Sequence, residues 1–210
     1  MTKYISLLQL KGGAGKSTIA CNLAGYFLSK NKSVLGIDAD MQQGTMYAWS
    51  TTFEHPKYKY EGVRTLDELL KVLQEADDKY DIVITDLPPR LADMARSSLI
   101  FSDLILLPVP ISSPDVWAAG DIAPLVEQAK KEKDIKLRIV WNKFKSTSRK
   151  EQLKQETKEY LGHDDIKQTI SDYVAYSDVI GMGTWVGAHS HQKAKAEFIK
   201  FGNEISKLIK

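Results

Sequence analysis

Residues 11–18, Lys-Gly-Gly-Ala-Gly-Lys-Ser-Thr, stand between an apolar run, Tyr4-Ile5-Ser6-Leu7-Leu8, and a helix-patterned stretch that begins Ile19-Ala20-Cys21-Asn22-Leu23-Ala24. A strand that passes through a glycine loop into a helix makes a cradle for a phosphate chain. The glycines allow a tight turn that aims successive N–H groups inward, and the helix adds the positive end of its dipole. In such a loop Lys16 meets the β- and γ-phosphates and Ser17 meets Mg²⁺, so the motif predicts a nucleotide site.

The ordinary pattern G-x-x-x-x-G-K-[ST] would place a glycine at position 10, where this chain has Leu10. Read instead as K-G-G-x-G-K-[ST], with a second lysine ahead of the glycines, the stretch resembles the deviant P-loop of the ParA/MinD family of ATPases. The resemblance assigns Lys11, Gly12, Gly13, Ala14, Gly15, Lys16, Ser17 and Thr18 to nucleotide binding. It also separates the two lysines. Lys16 would serve the chain's own nucleotide, whereas Lys11 would cross a dimer interface to the partner subunit's phosphates.

The 210 residues suit one domain, 1–210, large enough to bury a full core. The single cysteine, Cys21, has no partner for an intramolecular disulfide and lies within the helix pattern, which favours a small buried side chain and a reducing compartment. The first strand follows Met1 almost at once, so no export signal is expected, and no apolar run approaches the ~20 residues that cross a bilayer. A soluble, cytoplasmic protein is expected. Net charge is only +2, yet residues 1–129 carry 12 Lys/Arg against 16 Asp/Glu while residues 130–210 carry 17 against 11. Such a C-terminal basic excess fits an anionic partner or a merely solvated face.

After the loop, Ile19, Leu23 and Phe27 with Ala20, Ala24 and Leu28 form one apolar helical face. A strand over 33–38 then delivers Asp38 and Asp40 at its C-terminal end, where open parallel sheets bind ligands. Asp38-Ala39-Asp40-Met41-Gln42 resembles the family's D-x-D-P-Q switch, with Met41 in place of proline. By resemblance Asp40 positions the attacking water and Gln42 belongs to the same switch. Residues 51–63 read as a connection with one short strand. Thr65 and Glu68 form a capping box for the next helix. The apolar strand 81–86 ends in Asp86 before Leu87-Pro88-Pro89, which resembles the family's Walker B strand and its Mg²⁺-supporting carboxylate.

Runs at 103–110 and 136–142 read as further buried strands, joined by a helix from Ser113 to about Lys131. Asn142, at the end of the second run, resembles the asparagine that contacts adenine in the family; an asparagine that only forms a turn is the other reading. Residues 166–170 read as a last strand, residues 181–186 resemble the family's glycine-containing segment, and a helix over 191–209 places Ala194, Phe198, Phe201, Ile205 and Leu208 on one face.

Strands alternating with helices predict an α/β fold with a doubly wound, mostly parallel sheet flanked by helices. The resemblance runs from residue 3 to about 205, without the N-terminal helix-turn-helix extension of larger ParA proteins. It implies an ATPase with ATP and Mg²⁺ as cofactors. Lys11, Lys16 and Asp40 would be catalytic, Thr18 would add a phosphate hydrogen bond, and Ser17, Asp40 and Asp86 would lie at the metal. It further implies an ATP-dependent sandwich homodimer that binds nucleoid DNA without sequence preference. Such a dimer segregates plasmid or chromosomal DNA, or positions another large cargo, and is stimulated by a ParB-like or adaptor partner. The basic excess offers Arg149, Lys150, Lys154, Lys195 and Lys200 as DNA contacts.

Two other classes compete. In a MinD-like membrane protein the last helix would lie on lipid, and lysines beside an apolar stripe suit that, although Ala194, Ala196 and Gly202 make a poor lipid wedge. A metabolic enzyme on the same scaffold is the other. An iron–sulfur cluster bridging two subunits needs two cysteines per chain, and this chain has one. A small-molecule ligase would need a substrate pocket that the sequence does not reveal.

Overall fold

The computed structural model describes residues 1–89, 92–110 and 113–210. In chain order its elements are β1 (Lys3–Leu7), α1 (Lys16–Ser29), β2 (Val34–Asp38), α2 (Thr45–Thr52), β3 (Tyr58–Gly62), α3 (Leu66–Ala76), β4 (Ile82–Asp86), α4 (Ala92–Phe101), β5 (Leu104–Pro110), α5 (Ser113–Gly120), α6 (Ala123–Lys130), β6 (Lys136–Asn142), α7 (Ser148–Leu161), α8 (Ala175–Gly181) and α9 (Gln192–Leu208). The six strands form one sheet in the order β3-β2-β4-β1-β5-β6, and every neighbouring pair is parallel. The chain leaves β1 toward one side and later returns to β5 on the other. That reversal opens a crevice at the C-terminal ends of the central strands.

Alternation along each strand divides the core into two layers. Ile5, Leu7, Ile84, Leu104, Leu106 and Val140 face α1, α2, α8 and α9, whereas Leu35, Ile37, Val83, Ile105, Leu107 and Trp141 face the layer built from α3 to α6. With helices on both faces β2, β4 and β5 are buried along almost their whole length, as parallel sheets require, while the edge strand β3 is mostly exposed. Cys21 is wholly buried in the first layer, where burial pushes its thiol well above the ordinary range. Among the described residues no helix is long and apolar enough to cross a membrane.

Two expectations need correction. The helix from Ser113 to Lys131 is two helices, broken after Gly120. Glycine weakens a helix interior there, and Pro124 lacks the N–H that a continuous helix would need but suits the first turn of a new one. Residues 166–170 are no regular strand. They run beside β6, flanked by isolated parallel bridges at Asp165 and Ser171, and only the Ile166 and Ile170 N–H groups donate to it, at 2.8 Å. The N–H groups of Lys167 and Gln168 turn away to the Glu204 carboxylate on α9, at 2.8 and 3.2 Å, which interrupts the ladder.

Candidate functional site

Between β1 and α1 the backbone turns through Gly13 and Gly15, whose φ values of 77° and 93° lie in the left-handed region that favours glycine. Gly15 is also hemmed in. A Cβ there would collide with the amide nitrogen of Asn142. Asn142 ends β6, is buried, and donates to the Ala14 carbonyl at 2.7 Å; the neighbouring Lys143 ammonium donates to the Gly13 carbonyl at 3.2 Å. The loop is thus fastened from the side by the end of another strand.

A cleft of about 670 Å³ opens over this loop, within the range of small-molecule sites. Gly12, Gly13, Gly15, Lys16, Ser17, Thr18, Asp40 and Asn142 line it, together with residues 171–174, Tyr176 and Ser177. Lys16 is only 6% exposed, so its charge is directed into the site rather than into solvent.

Strand register sets Asp86 beside Asp38 at the C-terminal edge of the sheet, and Asp40 follows two residues after β2. Their environments differ. Asp38 accepts from the Asp40 N–H at 2.9 Å and from the Tyr47 N–H at 3.1 Å, so it shapes the turn after β2 and holds the start of α2. Burial is the main reason its pKa is raised, and the two backbone donors oppose that. Asp40 lines the cleft and is itself buried.

Asp86 is 1% exposed, and neither carboxylate oxygen has a hydrogen-bond partner among the described residues. Burial pushes its pKa up to about 7; the Ser17 hydroxyl and the Lys16 ammonium oppose this, and Asp38 and Asp40 add to it. Ser17 is close enough to act on the carboxylate without reaching hydrogen-bonding geometry with either oxygen. Two buried, orphaned oxygens beside a hydroxyl and a phosphate cradle fit a hard cation such as Mg²⁺. Among the described residues no three His, Cys, Asp or Glu side chains gather to hold a metal by themselves, so such an ion would also lean on phosphate oxygens and water.

A second concavity of about 970 Å³ adjoins the first. Leu10, Lys11, Gly12, residues 39–43, Val63, Arg64, Pro88 and Pro89 border it, and Asp40 belongs to both. Lys11 is exposed there, whereas Lys16 is buried in the first cleft. The one loop therefore presents its two lysines to different spaces.

The five basic residues are not brought together. Arg149, Lys150 and Lys154 lie on α7, which packs beside α5, while Lys195 and Lys200 lie on α9, which packs on α1 in the other layer. Lys154 is turned inward, 3.7 Å from the Asp165 carboxylate and over the Trp141 and Phe144 rings. Sequence reasoning missed Lys143 and the wall over 171–177. The rule that parallel strands bind ligands at their C-terminal ends, applied to the residues just after 170, would have pointed to that wall.

Residues 5–183 match the CobQ/CobB/MinD/ParA nucleotide binding domain. The chain belongs to that family. With the phosphate loop and its carboxylates in place, it is an ATPase of the ParA/MinD type. It is similar to maintenance of carboxysome distribution protein A of Halothiobacillus neapolitanus, with 29% identity over 187 residues that cover 87% of this chain and 85% of that protein. The chromosome-partitioning ATPase Soj of Thermus thermophilus is 24% identical over 166 residues, covering 66% of this chain and 67% of that one. Among solved structures, apo McdA of Cyanothece superposes with a TM-score of 0.79 at 16% identity, over 98% of this chain and 100% of that one, and shares its fold.

Proposed function

We propose that this protein is a compact ParA-type ATPase that closes into an ATP-dependent sandwich dimer and binds DNA without sequence preference. In that role it moves a large cargo, and a ParB-like or adaptor partner stimulates hydrolysis. The similarity to a carboxysome distribution protein favours a large assembly as that cargo, with a plasmid or chromosome as the alternative. The observation that carries the reading is the divergence of Lys16 into the nucleotide cleft and Lys11 into the adjoining concavity. A lysine that borders the adjoining concavity rather than the cleft is the one that a second subunit's phosphates would meet, as they would an arginine finger supplied in trans.

In this reading ATP lies with its phosphates on residues 11–18. The loop N–H groups and the Lys16 ammonium hold the β- and γ-oxygens, and Thr18 adds a hydrogen bond. Ser17 and Asp86 would hold Mg²⁺, with Asp40 nearby, and the ion supplies positive charge at the phosphate oxygens. Asp40, at the junction of the two spaces, orients the attacking water at the γ-phosphate. The membrane alternative is disfavoured because Ala194, Phe198, Phe201 and Ile205 of α9 are fully buried against the protein's own core.

Paired variants test it. Lys11→Ala should bind ATP as a monomer but lose ATP-dependent dimerisation and hydrolysis, whereas Lys16→Ala should lose nucleotide binding itself. Nucleotide titration with sedimentation reads both. A Lys11→Ala chain that dimerises with ATP as the parent does would overturn the proposal.

A further inference from the structure

The wall of the nucleotide cleft over 171–177 has no continuous sheet ladder to hold it, because the ribbon before it makes isolated bridges and only scattered backbone hydrogen bonds to β6, such as those from the Ile166 and Ile170 N–H groups at 2.8 Å. It is also held from α9. The Glu197 carboxylate accepts from the Ser171 N–H at 2.7 Å, from the Ser171 hydroxyl at 2.6 Å and from the Tyr176 hydroxyl at 2.7 Å. The Tyr176 hydroxyl also reaches the Ala194 carbonyl, at 3.2 Å. Ser171 and Tyr176 both line the cleft, so one side chain grips the wall at two points five residues apart. Three hydrogen bonds to a charged acceptor are the stronger kind.

We infer that Glu197 is a positioning residue for the nucleotide: it fixes the wall over 171–177 at its distance from the phosphate loop and thereby sets ATP affinity. This rests on the function proposed above. Glu197 touches no reacting atom and acts through Ser171 and Tyr176. Its removal frees the wall while leaving the phosphate cradle, Asp40 and Asp86 in place. The loss should fall on binding rather than on the chemical step.

A neighbour on the same helix supplies the control. Glu204 grips the same ribbon in the same way, accepting the Lys167 and Gln168 N–H groups, but neither of those residues lines the cleft. The test compares Glu197→Ala, Glu197→Gln and Glu204→Ala in the full chain, by titration with a fluorescent ATP analogue, steady-state hydrolysis and thermal melting. Glu197→Ala should raise the Kd and KM for ATP about tenfold while kcat holds within about twofold, as removal of uniform binding does. Glu197→Gln keeps one acceptor for the Ser171 N–H and gains a donor for the Ser171 hydroxyl, and should recover most of the affinity. Glu204→Ala should melt lower but bind ATP as the parent does. Equal ATP affinity in the parent and Glu197→Ala would overturn the inference alone, as would equal losses in Glu197→Ala and Glu204→Ala. A parent chain that takes up no ATP would overturn the function and this inference with it.

Discussion

The Tyr60 hydroxyl on β3 donates to the sulfur of Met41 at 3.3 Å, and so ties the loop after β2 to the edge strand of the sheet. Where the family pattern has a rigid proline, this chain has a flexible thioether held at its tip. Gly62 leaves room for it, since a Cβ there would stand 2.7 Å from the Met41 sulfur. Gly62→Ala should therefore push Met41 out and misplace Asp40, lowering ATP turnover about threefold to tenfold while ATP affinity holds. Tyr60→Phe removes only a weak hydrogen bond to sulfur and should cost less. Steady-state kinetics with nucleotide titration checks both.

Asp40→Ala should hold ATP and hardly turn it over, because the phosphate cradle stays while the carboxylate proposed to orient the water goes. Asp38 is a poor substitute, since it is buried, lines neither concavity and is committed to the Asp40 and Tyr47 N–H groups. Single-turnover hydrolysis set against equilibrium binding measures the split. Hydrolysis at the parental rate would remove Asp40 from its role.

Asp86 makes stability depend on pH in a defined direction. Its folded-state pKa of about 7 lies above the ordinary 3.8, so the folded chain holds this proton more tightly than the unfolded one. Folded-state stability from this group is complete below about pH 4 and falls as pH rises to about 7, by about 4 kcal/mol at most. Without nucleotide, Asp86→Asn should melt above the parent at about pH 8 and level with it near pH 4. With Mg²⁺ and ATP the parent should gain more than the variant. Melting curves at both pH values, with and without Mg²⁺ and ATP, decide it.

Lys154 and its two neighbours on α7 should behave differently. Arg149→Ala with Lys150→Ala should weaken DNA binding and flatten its salt dependence, by a slope of about 1 for each phosphate no longer neutralised. Lys154→Ala should instead lower stability by about 1 kcal/mol, because that ammonium is engaged by Asp165 and two aromatic rings. Filter binding at several salt concentrations and denaturant unfolding separate the two outcomes.

The parts legible in the sequence are those whose physics is local. The glycine loop, the apolar strands ending in Asp38 and Asp86, the Thr65 to Glu68 capping box and the stripe of α9 each carry their signal within a few residues. The helix α2 carried no such signal: it starts at Gly44 in the left-handed region, and its first turn is held by the distant Asp38. The ribbon over 166–170 read as a strand, but Glu204 of α9 takes the Lys167 and Gln168 N–H groups and leaves only those of Ile166 and Ile170 to β6. What holds the wall over 171–177 was illegible for the same reason, since Glu197 grips it from more than twenty residues away.

Residues far along the chain brace the helix that carries the phosphate loop. The Tyr26 hydroxyl on α1 donates to the Asn203 side chain at 2.7 Å, the tight fit of Gly202 leaves space for the Tyr26 ring, and the Val186 N–H is accepted by Asn22 at 2.7 Å. During synthesis the loop emerges from the ribosome well before these braces, and well before Glu197. Each brace closes a loop of more than 160 residues, which makes it a late event in folding. A nascent chain thus carries its most recognisable motif long before it can grip a nucleotide, and competence arrives only with helix α9.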